Sequence, residues 1–100
     1  MAKYMLAYKG GGMAESDAER DAAMKAWGEW FGQLGAALVD PGNPFGASSS
    51  VGTNGATGDL TGYSLLNAGD LAAATKLAEG CPVLANGGSV EVYEAIPIEM

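Results

Sequence analysis

Few side chains in this 100-residue chain can hold or move a proton. There is no histidine, which removes the one side chain that titrates near neutrality unperturbed, the commonest metal ligand and the usual base of nucleophilic triads. Four tyrosines, one cysteine and scattered carboxylates remain. Tyr8, Tyr63 and Tyr93, with Tyr4, fall in strand-like runs, and hydroxyls inside a pocket would orient a small substrate or donate a proton. Aromatic filling of a core accounts for the same residues equally well. Trp27, Trp30 and Phe31 recur at helical spacing, which suits core packing. The outer edge of that stripe, Trp27 above all, is the part placed to meet a flat organic ligand.

Other candidates carry less chemistry. Lys9-Gly10-Gly11-Gly12 precedes a helix and offers free amides to an anion, but it has neither phosphate-loop nor dinucleotide spacing. Glu15, Asp17 and Glu19 also put negative charge where a phosphate would sit. Cys81 follows a helix C-terminus, where the local field does not lower a thiol pKa, so it reads as a buried structural residue. Glu91 and Glu94 are three apart on a strand and point to opposite faces, while Asp40 and Asp59 flank turns. No metal site and no cofactor is expected from these patterns. The residues alone leave open whether the protein has a reaction at all.

These groups must be positioned by one domain, residues 1–100, since that length leaves no room for a second core. Hydrophobic residues make up 48% of the chain, much of that alanine, and there are 16 glycines. The resulting core is thin, which favours burying further surface against a second copy. Twelve acidic against five basic residues give a net charge of -7. Nucleic acid and anionic membrane are therefore disfavoured partners, because both bind through clustered cations. One cysteine allows no intrachain disulfide, and no run approaches the length of a membrane helix, so a cytoplasmic protein is expected.

Residues 3–9 alternate as a strand apolar on both faces, with Tyr4, Leu6 and Tyr8 on one and Met5 and Ala7 on the other. Ser16-Asp17-Ala18-Glu19 has the form of a capping box opening a helix, which Gly35 should close. Residues 36–40 suit a short strand, stopped at Pro41-Gly42-Asn43-Pro44 and resumed over 47–53. NGATGD, residues 54–59, is a hairpin-type turn leading to a strand over 60–67. Asp70 caps a second helix that ends at Gly80, and residues 89–98 form the last strand. The order βαββαβ with right-handed crossovers gives a ferredoxin-like α+β fold: a four-stranded antiparallel sheet with both helices on one face. A second identical sheet would cover the bare face and close a dimeric α/β barrel.

The segments KYMLAYKGG, LGAALVDPGNPF, GYSLLNAGDLAAATKLAEGCP and GGSVEVYEAIPI, in this order and spacing, make the chain resemble the YCII-related domain family. The resemblance is to its branch often called DGPF proteins, which form dimeric α/β barrels. It runs through nearly the whole chain and implies a homodimer joined through its sheet faces, with a pocket between sheet and helices. The chain departs from the branch where the DGPF tetrapeptide would stand, since it reads NGATGDLTG there. Some relatives pair a first-helix His with an Asp before the proline that follows the second helix. Here the corresponding places hold Met24 or Trp27, and Cys81. The resemblance thus implies a fold and a pocket more than a reaction. The expectation is a homodimeric pocket protein whose small organic ligand meets Tyr8, Trp27, Tyr63 and Tyr93. The alternatives are a cofactor-free lyase or isomerase using pocket tyrosines or carboxylates, and a non-catalytic accessory module.

Overall fold

The structure is a computed structural model, which describes residues 2–10, 16–53, 55 and 59–98. Its elements follow the chain as β1 (Ala2–Lys9), α1 (Asp17–Leu34), β2 (Leu38–Asp40), β3 (Leu60–Ala68), α2 (Leu71–Ala78) and β4 (Ser89–Ala95). Single 3-10 turns at Gly35–Ala37 and Pro82–Asn86 follow the two helices. The sheet has the order β2-β3-β1-β4, and each neighbouring pair is antiparallel. Two helices on one face of this sheet make the fold ferredoxin-like.

Local chemistry sets the helix ends. The Ser16 hydroxyl accepts from the Glu19 amide at 3.1 Å, satisfying a donor that the first turn leaves without a partner. Gly35, at φ +54°, ends α1 with its amide on the Phe31 carbonyl. Asp70 does for α2 what Ser16 does for α1, accepting from the Ala73 amide at 2.8 Å. Small residues then let α2 lie close to the sheet: Ala74 and Ala78 are buried, Ala74 in a cluster with Tyr4 and Ala68. Trp30 ties the two helices together. Its indole nitrogen donates to the Leu77 carbonyl at 3.3 Å, and its ring lies 3.1 Å from where a Cβ on Gly80 would stand.

Strand alternation sorts the side chains into two faces. Tyr4, Leu6 and Tyr8 of β1 turn toward the helices, as do Ser64 and Leu66 of β3, and Val90 and Val92 of β4. Leu6 and Leu66 are fully buried among Trp30, Leu34, Ala78, Cys81 and Val83. Each contributes about 2 kcal/mol relative to an exposed side chain. Met5, Leu65, Tyr63 and Tyr93 turn the other way; Phe45 stacks on Tyr63 at the β3 edge, and no described helix or strand packs over the rest of that face. The apolar character of both sides of β1 is thus matched by a helix layer on one side only.

Two segments differ from the sequence expectation. Residues 47–53 form no strand: they are exposed and lie beyond the last pairing with β3, the bridge Pro44↔Gly62. Their run, Ala47-Ser48-Ser49-Ser50-Val51, holds one large apolar side chain, fully exposed, so it has too little to bury to take a sheet edge. β4 stops at Ala95 and not at 98. Ala95 pairs with Lys3, close to where β1 begins, and Pro97 lacks the amide that a longer ladder would use. Ile96 and Ile98 are consequently exposed. Most of the expected turn at 54–59, and Gly11 and Gly12 of the glycine run after Lys9, lie outside the described residues.

Candidate functional site

A cavity of about 650 Å³ opens between the middle of α1, the C-terminal end of β1, and residues 41–44. This size falls within the range of small-molecule pockets. One wall is helical. Met24, Trp27, Gly28 and Phe31 follow the i, i+3, i+4, i+7 spacing that brings residues to one face. Trp27 is the centre of that wall, edge-on to Tyr8 with centroids 5.0 Å apart and 5.7 Å from Phe31. The sheet supplies the floor through Tyr8, Thr61 and Gly62, and Val83 closes the side near α2.

The remaining wall is the Pro41-Gly42-Asn43-Pro44 turn, which is held by specific bonds. Asp40 accepts the Gly42 amide at 2.8 Å, the Phe45 amide donates to the Thr61 carbonyl at 2.9 Å, and Phe45 stacks on Tyr63 at 5.7 Å. Gly42 has φ +75°, and a Cβ there would collide with the Tyr63 carbonyl, so only glycine lets the turn lie this close to β3.

A two-bond relay fastens the same turn to the core. The Tyr8 hydroxyl donates to Ser64 Oγ at 2.7 Å, and Ser64 Oγ donates to the Pro41 carbonyl at 2.7 Å. Ser64 is completely buried. Burial raises the Tyr8 pKa far above that of an ordinary phenol, outweighing the opposing effect of the Ser64 bond, with the Cys81 thiol adding a smaller upward push. The Tyr8 hydroxyl is therefore a committed donor that pegs the turn, and its ring is what it offers the cavity. Thr61 is engaged in the same way, with its hydroxyl on the Tyr8 and Gly10 carbonyls. None of the described lining residues carries a charge.

The structure places the sequence candidates in two groups. Tyr8, Trp27 and Tyr63 all border the cavity, Tyr63 from the opposite phase of the sheet to Tyr8, where its ring stacks on Phe45 beside the 41–44 turn. Tyr93 does not: it sits on the uncovered face of β4, 50% exposed, donating to Glu91 Oε1 at 2.7 Å while Lys9 Nζ lies 3.2 Å from Glu91 Oε2. The two bonds, Tyr93's first, hold the Glu91 carboxyl below its usual range. The same contacts raise the pKa values of Lys9 and Tyr93. Cys81 is buried behind the cavity wall, and desolvation pushes its thiol up to about 11, leaving it protonated. Asp40 serves the turn beside it. Among the described residues no three Cys, Asp or Glu side chains converge on a common point. Sequence reasoning did not single out Ser64 or Gly28. Ser64 carried a signal, as a hydroxyl on the inward phase of an otherwise apolar strand. Gly28 carried only the oddity of glycine in mid-helix.

No protein-family model matches the chain, and no curated protein sequence matches it. Among solved structures, a similar one is 5-chloro-2-hydroxyhydroquinone dehydrochlorinase from Burkholderia phenoliruptrix AC1100, in complex with 2,5-dihydroxybenzoquinone. The likeness has a TM-score of 0.56 at 19% identity and covers 90% of this chain and 89% of that one. At that identity the likeness concerns the fold. No helix among the described residues is long and apolar enough to cross a membrane.

Proposed function

We propose that this protein is a cytoplasmic, single-domain binding protein for flat, uncharged aromatic compounds, acting as a homodimer joined through the uncovered sheet faces. The observation that carries the ligand class is the cavity wall: Tyr8, Trp27 and Phe31 in contact, with no charged residue among the described lining. Rings stack on or meet such walls edge-to-face, gaining about 0.5–1.5 kcal/mol per pair beyond area burial. A net charge of -7 disfavours anions further. The compound in the structural neighbour, a benzoquinone, is also a flat six-membered ring. The dimer reading is supported by Met5, Leu65 and Tyr93 on a sheet face that no described helix or strand covers.

Calorimetric titration with 2-naphthol, neutral at pH 7, tests the pocket. A dissociation constant below about 1 mM, or −4.1 kcal/mol, is expected. It should weaken about three- to tenfold in Trp27→Leu, and also in Met24→Ala at an exposed position of the same wall. Undetectable binding, or binding indifferent to both substitutions, overturns the reading. Sedimentation velocity tests the association, and a folded monomer at tens of micromolar overturns the dimer. The second reading, a cofactor-free lyase or isomerase, draws on the dehydrochlorinase named for the structural neighbour. Release of chloride from 5-chloro-2-hydroxyhydroquinone by this protein would favour it over a binding role.

A further inference from the structure

The helical wall of the cavity has a gap. Gly28 occupies the i+4 position between Met24 and the next inward residues, where the spacing calls for a side chain, and it is exposed. It lies in the interior of the 18-residue helix α1, where glycine disfavours the helix about fivefold relative to alanine. The fold makes no demand for this. The backbone of Gly28 is not in the left-handed region, and a Cβ built on it meets nothing within 4 Å. By contrast, a Cβ on Gly42 would collide with the Tyr63 carbonyl, and one on Gly80 would sit tightly, 3.1 Å from the Trp30 ring. The space left by Gly28 is therefore open at the rim of the cavity it lines, with the Trp27 and Phe31 rings together on one side of it.

We infer that Gly28 is the specificity-determining residue of the cavity: the missing side chain forms a notch that admits the edge of a planar ring against the helix backbone beside the Trp27–Phe31 pair. The inference rests on the aromatic-ligand reading above and deepens it, since it selects fused or substituted planar rings over compact aliphatic ligands. A methyl at position 28 narrows the notch, and a leucine fills it.

Gly32 supplies the internal control. It lies one turn further along the same helix, is also exposed, has nothing within 4 Å of a built Cβ, and does not line the cavity. Gly28→Ala and Gly32→Ala should each raise the folding equilibrium constant about fivefold, measured by urea unfolding at fixed protein concentration. Titration with 2-naphthol should separate them. Gly28→Ala is expected to bind several-fold more weakly and Gly28→Leu at least tenfold more weakly, with Gly32→Ala equal to wild type. Wild-type binding retained in both Gly28 variants overturns the inference and leaves the aromatic pocket standing. Equal weakening in Gly28→Ala and Gly32→Ala also overturns it, because the effect then belongs to the helix and not to the notch. Failure of the wild-type protein to bind 2-naphthol overturns the pocket reading itself.

Discussion

Removing the two hydroxyls of the Tyr8–Ser64–Pro41 relay, singly and together, should give stability losses that do not add. In Tyr8→Phe one hydrogen bond of 2.7 Å disappears, yet Ser64 keeps its bond to the Pro41 carbonyl and loses only the use of an acceptor lone pair. The net cost is about 1 kcal/mol. Ser64→Ala removes both bonds and strands the Tyr8 hydroxyl, a donor in a residue only 5% exposed. An orphaned buried donor costs about 1–3 kcal/mol on top of the lost Pro41 bond, so the total is about 2–4 kcal/mol. Combining the two changes removes the orphan. The double variant should therefore be more stable than Ser64→Ala alone, with a loss of about 1–2 kcal/mol against wild type. Urea unfolding monitored by tryptophan fluorescence, at one protein concentration so that association does not enter, gives all four values. In a domain of this size 1 kcal/mol corresponds to about 4–8 °C in Tm, which provides an independent reading. A double variant less stable than Ser64→Ala, or a Tyr8→Phe loss equal to that of Ser64→Ala, would refute the account of Tyr8 as the donor and Ser64 as the hinge of the relay.

Two further outcomes follow from the same region and its opposite face. Gly42→Ala forces a positive φ on alanine and drives its methyl into the Tyr63 carbonyl, so a loss of about 2–4 kcal/mol is expected, together with weakened 2-naphthol binding. An unchanged unfolding midpoint would rule out the close approach. On the uncovered face the Glu91 carboxyl is lowered, chiefly by Tyr93 and then by Lys9. Its contribution is complete above the unfolded glutamate pKa of about 4.3 and is lost as the pH falls through the lower folded value. The wild-type stability curve should therefore fall more steeply below about pH 4.3 than that of Glu91→Gln; identical acid limbs would exclude the linkage.

Much of the fold was legible because its signals are local. The Ser16 and Asp70 caps, Gly35 at the end of α1 and the period-two alternation of β1 and β3 each depend on residues within one turn or one strand. Which face of each strand meets the helices is also contained in the alternation, and it separates Tyr8 from Tyr93 once the register is known. That register, Tyr8 opposite Gly62 and Val90, is a long-range fact. The strand expected over 47–53 failed for the complementary reason: its turn-rich surroundings suggested a hairpin, but a strand needs a neighbour, and β3 already ends its pairing at Pro44. The cavity was legible only in part. Trp27 stood out by type. Ser64 and the inward side of residues 41–44 acquire their roles from contacts across 20 or more positions in the chain, such as Ser64 to Pro41, and Gly28 acquires its role from the cavity it lines.

The edges of the sheet carry a further consequence. At one edge β2 is three residues long, slips register between Leu38 and Asp40, and runs into Pro41 and Pro44. At the other, β4 bears Glu91 and Glu94 and is followed two residues beyond its end by Pro97. Short strands, bulges, charges and prolines are the devices that stop an exposed ladder from templating a strand of another chain. These features oppose lateral strand addition at both edges, even though the sheet has an apolar outer face. In the proposed dimer, two molecules meeting through that face would form a closed pair whose edges keep these same blocks.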